Sequence, residues 1–396
     1  MAPVSPIILD VTRTLSRVDG RHATGIDRVE RAYIEHLGAL DREVMFLSRL
    51  GRGIALLDRD GLAEILRQIR GDAPRQAPDL RARLAVTRDP DRAWIDSVLR
   101  QHRLTIGGRA AMPQKPFHYV NVGHTHREVL ARMRALGAAE ITVLIHDLIP
   151  LDRPDLQTPQ SVRRFNTFFA AVAEHATRVI ANSHVTADRL RHWLGPAGQR
   201  IKIVVAHLGI DPPDPVAAHY SNRPYCLQLG TLEPRKNVGF TLDIWDKLAG
   251  AGPDLCLIGR RGWMIDAVAA RLDDPSTRPA RVQEFADLDD IAVQSRLKGA
   301  AAMLFPSLIE GFGLPLLEAL QHGVPVIAAD LPVFRELAGE HALYLPTDNV
   351  NTWAKCVNEV AVKFAKDQHN RGKPPGLIIP RWQDHFASIE PLLVIP

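Results

Sequence analysis

Short apolar runs rich in branched side chains alternate with longer helical patterns along most of the chain, and this alternation narrows the possible folds. The runs are PIILDV at 6–11, EVMFLS at 43–48, FHYVNV at 117–122, ITVLIHD at 141–147, RVIANS at 178–183 and IKIVVA at 201–206. A second series follows: YCLQLG at 225–230, DLCLIG at 254–259, RVQEF at 281–285, AAMLFPS at 301–307, PVIAAD at 325–330 and ALYLP at 342–346. Most gaps between runs have room for a crossover helix. Strands joined that way pair in parallel, and their helices cover both faces of the sheet. Two series therefore predict an α/β chain of two Rossmann-like halves. The stretch GIDPPDPVAAHYSNRP at 209–224 holds four prolines and reads as the hinge between them.

A length of 396 residues fits two domains of ordinary size, and a composition 46% hydrophobic and 24% charged is that of a globular chain. No apolar run approaches the roughly 20 residues of a membrane span. The start, MAPVSPIILDVTRTLSR, lacks a basic signal-peptide region and cleavage site, so the expected location is cytoplasmic. A formal charge of +4 does not choose between nucleic acid, membrane and phosphorylated substrates. Cys226 and Cys256 lie in strand-like runs as buried thiols, and with Cys356 they form neither a zinc pattern nor a disulfide framework. Residues 67–109 carry ten arginines, from Arg67 to Arg109, with few apolar residues between them. This block reads as a surface insertion with a solvated helical face. A peripheral contact with an anionic membrane is its second reading.

The segment FPSLIEGFGLPLLEAL at 305–320 carries most of the chemistry. Phe305 ends a buried strand. Pro315 just inside a helix and Gly323 just beyond it predict a helix over Leu314–His322. Gly311 and Gly313 permit a tight turn and let backbone N–H groups approach a ligand. A helix N-terminus at the carboxyl end of a parallel strand suits an anion such as a diphosphate. Glu310 and Glu318 flank that turn, and carboxylates accept hydrogen bonds from vicinal hydroxyls. A diphosphate between two sugars is a nucleotide sugar. The loop GTLEPRKN at 230–237 adds Arg235 and Lys236 before a helix that Asn237 is placed to cap, and two cations there can neutralise a diphosphate. Taken singly, each feature also has a plain structural reading: a dipole-complementing glutamate, a loop glutamate, an exposed basic helix entry.

Together these segments resemble retaining glycosyltransferases of family 4. FPSLIEGFGLPLLEAL is similar to that family's E-x7-E motif and GTLEPRKN to its phosphate loop. VIANSHVTADRL at 179–190, GVPVIAAD at 323–330 and FRELAG at 334–339 follow in the family's order. LIGRRGW at 257–263 resembles a subgroup with bacterial polysaccharide mannosyl- and rhamnosyltransferases. The likeness covers residues 140–345 well and the first domain loosely.

The resemblance implies the GT-B fold, two Rossmann-like parallel-sheet domains facing a central cleft. The expected divisions are an acceptor-binding domain at 1–214, a nucleotide-sugar domain at 215–378 and a closing helix at 379–396 that crosses back, with Trp382 as a packing residue. Glu310 would contact the donor sugar, Glu318 the ribose, and Arg235, Lys236 and the amides of Gly311, Phe312, Gly313 and Leu314 the phosphates. The nucleoside would lie near Gly259, Arg260, Glu284 and Phe285. Gly25, in HATGIDRVERAYIEHL at 22–37, would face the diphosphate from the first domain, and His146 the reacting sugar. Ile26, Val29, Tyr33 and Leu37 give that helix its buried face.

The implied activity moves a hexose from a GDP- or UDP-sugar to a hydroxyl of a glycan or lipid-linked glycan in bacterial polysaccharide synthesis, with retention and without a metal cofactor. A nucleotide-sugar epimerase of the same fold and a non-catalytic nucleotide or glycan binder are the alternatives. Nucleic acid is not an expected partner, since Trp94 alone interleaves the arginines with an aromatic ring. His124 and His126 read as loop histidines, because a third metal ligand is absent from the pattern. The D-x-D triplets at 58–60, 89–91 and 287–289 are placed as helix entries or turns, with Asp287 as an N-cap.

Overall fold

The central strands show no alternation because both of their faces are buried. Ile7–Asp10 (β1) and Phe117–Asn121 (β6) are covered at every residue, as are Ala302–Phe305 (β13) and Val326–Ala329 (β14). This is the pattern of a parallel sheet covered by helices on both sides. The computed structural model describes residues 5–17, 24–51, 53–84, 89–106, 109–114, 116–124, 127–366 and 371–393. Among these, β1 is followed by β2 (Val44–Leu50), β3 (Gly53–Leu57), the short hairpin β4 (Thr105–Ile106) and β5 (Arg109–Ala110), then β6, β7 (Ala138–Ile145), β8 (Arg178–Ala181) and β9 (Lys202–Val205). The second half has β10 (Tyr225–Leu229), β11 (Asp254–Ile258), β12 (Val282–Phe285), β13, β14 and β15 (Leu343–Leu345).

The first sheet has the order β3-β2-β1-β6-β7-β8-β9, and the second β12-β11-β10-β13-β14-β15. All pairings within them are parallel except β2 with β3. In each sheet the direction of winding reverses once, between β1 and β6 and between β10 and β13. Loops leaving the carboxyl ends of strands at such a reversal diverge and leave a crevice. The segments singled out in the sequence leave those ends: the chain to Gly25 follows β1, residues 230–237 follow β10, and residues 306–313 follow β13.

The chain returns to the first domain through the helix Trp382–Ile389. Gly209 permits the crossing, since a Cβ there would lie 2.3 Å from the backbone nitrogen of Trp382. Phe386 stacks on His36 at 3.7 Å between ring centroids. His385 is buried, and burial pulls its pKa down to about 4, so the ring is neutral. Its Nδ1–H is placed to donate to the His207 carbonyl at 3.0 Å, which leaves Nε2 to accept from the Tyr33 hydroxyl at 2.8 Å.

Within residues 67–109 the stretch 71–84 is largely exposed, as expected of a surface block, but the helix that follows is not. The helix Pro90–His102, capped by Asp89, buries Trp94, Ile95, Val98 and Leu99 in the core of the first domain. Four of the arginines pair with acids: Arg67 with Glu64 at 3.1 Å, Arg75 with Asp91 at 2.9 Å, Arg92 with Asp96 at 3.2 Å and Arg100 with Asp79 at 2.6 Å. Arg88 lies outside the described residues. No helix among the described residues is long and apolar enough to cross a membrane.

Candidate active site

A cleft of about 1220 Å³ opens between the two sheets at their carboxyl ends. At its base, Glu310 sits between two cations. Arg235 donates to its Oε2 at 2.5 Å, Lys236 to its Oε1 at 2.6 Å, and the Ser307 hydroxyl to Oε1 at 2.8 Å. Arg235 also meets Glu233 at 2.5 Å. Burial alone would push the Glu310 pKa up. The charges of Arg235 and Lys236, with the Lys236 and Ser307 hydrogen bonds, outweigh burial and hold the carboxyl at about 2. Glu310 is therefore ionised throughout the physiological range. The two cations are also less available than their count suggests, since carboxylates already face both.

Backbone geometry sets this cluster. Gly230 has φ +131, and a Cβ there would meet Lys236 Cε at 3.2 Å. The turn Pro234–Lys236 presents both cations. Asn237 does not cap the next helix with its side chain. It takes a left-handed φ of 55, which turns the chain out of the short 3-10 turn. Gly313 opens the helix Leu314–Gln321 at φ +128, and the helix stops at His322 as the sequence predicts, ahead of Gly323.

The first domain closes over this end of the cleft. Gly25 begins the helix Gly25–Ala39 and lies against Leu314, whose Cδ1 is 3.3 Å from where a Cβ would stand. Three residues on, Arg28 donates to Glu318 and lies 3.7 Å from Asp211. Ile26, expected in the core, is only half-buried and lines the cleft, and Glu30 is buried in its stead. His146 is buried beside Glu310's loop. Burial lowers its pKa to about 4, so it is neutral. Its Nε2–H faces the Val122 carbonyl at 2.7 Å, leaving Nδ1 as an acceptor. Asn182 fixes the same turn by donating to the His146 carbonyl at 2.8 Å.

At the opposite end, Gly259 at φ +147 is indispensable, because a Cβ would lie 2.1 Å from the Gly230 carbonyl oxygen. Arg260 and Phe285 line the cleft, with Leu288 and Val293. Glu284 does not. Its side chain points away, where Arg261 donates to both carboxylate oxygens at 2.8 Å and also holds Asp273. The sequence places Glu284 on a strand but cannot say which face it takes at the strand's end. Asp287 is not an N-cap either. Asp289 caps the helix Asp290–Gly299 by accepting from the Ala292 amide at 2.7 Å, and Asp287 pairs with Arg260 at 3.2 Å.

Two side chains that join the domains escaped the sequence. The segment 22–37 does not single out Arg28. Glu336, in FRELAG, accepts from the His184 and Val185 amides at 2.7 and 3.1 Å and meets His207 Nε2 at 2.7 Å, tying the second domain to a helix start in the first. A carboxylate at a helix N-terminus is stabilised by the unpaired amides and the dipole. No group of three or more metal-ligating side chains occurs among the described residues. His126 lies outside them, and His124 accepts from the His146 amide at 3.1 Å.

Residues 223–362 match the model of the family described as Glycosyl transferases group 1. The matched segment is about a third of the chain. It carries the glutamate pair Glu310 and Glu318 and the cations Arg235 and Lys236. Over 261 residues the chain is 31% identical to the serotype-specific mannosyltransferase WbdA of Escherichia coli, a match covering 61% of this chain and 32% of WbdA. The chain thus spans about a third of the length of the curated relatives it matches. Among solved structures, sucrose-phosphate synthase of Thermosynechococcus elongatus superposes with a TM-score of 0.61 at 15% identity, covering 98% of this chain and 95% of that one. Anabaena HepE in complex with UDP and glucose gives 0.57 at 15% identity, covering 97% and 95%. The chain has the GT-B arrangement of two Rossmann-like sheets across a cleft.

Glu318 tests the nucleoside half of this site. Its carboxylate is almost fully buried, accepts from Arg28 and lines the cleft. Glu318→Ala is expected to weaken nucleoside diphosphate binding by about tenfold or more, the worth of one charge-assisted hydrogen bond, with little change in kcat. Titration calorimetry checks this. Unchanged affinity would remove Glu318 from the nucleotide site.

Proposed function

We propose that the chain is a retaining glycosyltransferase. In this reading it moves a hexose from a nucleotide-diphosphate sugar to a hydroxyl of a glycan or lipid-linked glycan acceptor in bacterial polysaccharide synthesis. The observation that carries the proposal is Glu310 between Arg235 and Lys236, at the base of a cleft where the winding reversals of both sheets meet. The similarity to O-antigen mannosyltransferases supports the polysaccharide context, and a structural neighbour that holds UDP and glucose supports the donor class.

In this reading the diphosphate lies over Arg235, Lys236 and the start of the helix Leu314–Gln321. The acceptor oxygen forms its bond to the anomeric carbon on the face from which the phosphate oxygen departs. The bond from that carbon to the phosphate oxygen breaks, and the acceptor's proton passes to the departing phosphate. No side chain is needed as nucleophile. Glu310 and neutral His146 accept hydrogen bonds from sugar hydroxyls and fix the reacting geometry. Arg235 and Lys236 exchange part of their contact with Glu310 and Glu233 for the negative charge developing on the leaving group. Of the arginines at 67–109, Arg67, Arg75, Arg92 and Arg100 pair with acids, which lowers the charge that block can offer an anionic membrane.

The test is nucleotide-dependent stabilisation. A ligand at a hundredfold excess over its Kd raises stability by about 2.7 kcal/mol, so the cognate nucleoside diphosphate should shift the melting curve upward. Retention is checked by the anomeric proton coupling of the first-formed product. In this reading Arg235 and Lys236, partly released by Glu310 and Glu233, act with the dipole at the start of the helix Leu314–Gln321 to stabilise the leaving group, and no divalent ion is called for. Turnover is therefore expected to persist nearly unchanged in EDTA. Activity lost in EDTA and restored by magnesium or manganese would overturn that account of the leaving group.

A further inference from the structure

The helix His184–Leu194 of the first domain is capped from both domains at once. A helix leaves its first N–H groups without partners inside the helix. Here the Ser183 hydroxyl, the local cap, accepts from the Thr186 amide at 3.0 Å. The His184 and Val185 amides go instead to the two carboxylate oxygens of Glu336, in the second domain, at 2.7 and 3.1 Å. His207 Nε2 meets the oxygen that takes the His184 amide. Burial would push the Glu336 carboxyl up, but the His207 contact and the two amides hold it below its ordinary range, so it is a carboxylate.

The same turn of chain reaches the chemistry from its other side. Asn182 donates to the His146 carbonyl at 2.8 Å, and the Thr186 hydroxyl donates to the Gly311 carbonyl at 3.3 Å. Residues 182–186 therefore hold the strand end that carries His146, the donor loop at Gly311 and the carboxylate of Glu336. We propose that Glu336 is a positioning residue for glycosyl transfer: from the second domain it sets the start of the helix His184–Leu194, and that helix start sets His146 against Gly311. The inference rests on the glycosyltransferase reading. Glu336 is not among the residues that line the cleft, so it acts only through others. The contact it governs has little slack, since a Cβ on Gly311 would lie 2.3 Å from the His146 carbonyl oxygen. His207 carries the anchor further, because its carbonyl accepts from His385, and His385 holds Tyr33 of the helix that Gly25 begins. A misplacement of about 1 Å between reacting groups costs roughly 10²-fold in rate, so the effect falls on kcat and not on donor affinity.

The test uses the full chain, with consumption of GDP-mannose and UDP-glucose read as nucleoside diphosphate release and GDP and UDP affinity read by calorimetry. Glu336→Ala is expected to lower kcat by about 10- to 100-fold, while KM for the donor and Kd for the nucleotide stay within about twofold. Glu336→Gln keeps one acceptor oxygen and should lose less. Asn182→Ala cuts the link at its other end and should lower kcat by itself. Adding Glu336→Ala to it should lower kcat by less than about threefold more, because residues that act through one contact are not additive. Asp330→Ala, which releases Arg335 beside Glu336, is the control and should leave kcat unchanged. The His184 end of the anchor is open to solvent, so water can satisfy that amide in the variants. Melting curves accompany the kinetics, and if Glu336→Ala melts below the assay temperature, Glu336→Gln carries the same comparison. Unchanged kcat, a parallel loss of nucleotide affinity, or a fully multiplicative loss in the double variant would each overturn the role. A wild-type chain that binds neither nucleotide or consumes neither donor would instead overturn the glycosyltransferase reading, and the role with it.

Discussion

Replacing Glu310 with glutamine is expected to slow glycosyl transfer by about 10²–10³-fold, the usual cost of one misplaced transition-state hydrogen bond, while nucleoside diphosphate binding is kept or tightened. The amide has nearly the same shape but one carbonyl oxygen, so it cannot accept from Arg235 and Lys236 on separate oxygens as the carboxylate does. Its NH2 would face a cation. The sugar then loses its oriented acceptor. The phosphates gain, because Lys236 loses its carboxylate partner while Arg235 keeps Glu233. Lys236→Ala should do the opposite and lose nucleotide affinity together with rate. Removing one member of a buried ion pair costs roughly 3–5 kcal/mol of stability, so melting curves must accompany the kinetics. Nucleoside diphosphate release gives kcat and calorimetry gives Kd. A loss of nucleotide affinity in step with the loss of rate in Glu310→Gln would make Glu310 a clamp on the phosphate loop rather than a sugar ligand.

Much of this site was legible because its residues are local in sequence. A strand, a glycine turn and a helix can be read from spacing alone, so the positions of Glu310, Gly311, Gly313 and Glu318 followed from residues 305–320. What local pattern cannot carry is a contact between domains. Arg28 lies on the polar side of an amphipathic helix, where solvent is the default expectation, and only the apposed Glu318 turns it inward. Glu336 was visible within a recognisable segment, but the helix start it caps lies about 150 residues away in sequence. Strand β3 was missed for a different reason. Parallel crossovers were the rule elsewhere, whereas GIALL at 53–57 returns beside β2 through a tight turn as an antiparallel edge. In the arginine block the charged residues hid the spacing of Trp94, Ile95, Val98 and Leu99, four positions that share one helix face. Glu284 shows the converse limit. A strand's end was placed correctly, and its side chain still went to Arg261.

Gly311 is where the two domains come closest to the chemistry, and its substitution tests whether their apposition matters. A Cβ at this position would lie 2.3 Å from the His146 carbonyl oxygen and 2.6 Å from Asp147 Cβ. Neither is the far end of a flexible chain. The His146 carbonyl is also held by Asn182 at 2.8 Å, so it has little freedom to withdraw. Gly311→Ala must therefore push the loop and the first domain apart by about 1 Å, a displacement that costs roughly 10²-fold in rate when it falls between reacting groups. Of the proposed phosphate contacts the Gly311 amide moves with the loop while Arg235, Lys236 and the start of the helix Leu314–Gln321 stay in place, so Kd for the nucleoside diphosphate should stay within about threefold. Overpacking of this kind costs typically 1–3 kcal/mol, which leaves the protein folded. Gly239→Ala is the matched control. Its Cβ would meet Val268 at an ordinary 3.7 Å within a helix, and the change should stabilise the chain by about 0.5–1 kcal/mol without altering rate. Full activity in Gly311→Ala would mean that catalysis tolerates a wider gap between the domains, and a donor site shaped by the second domain alone would then account for the chemistry.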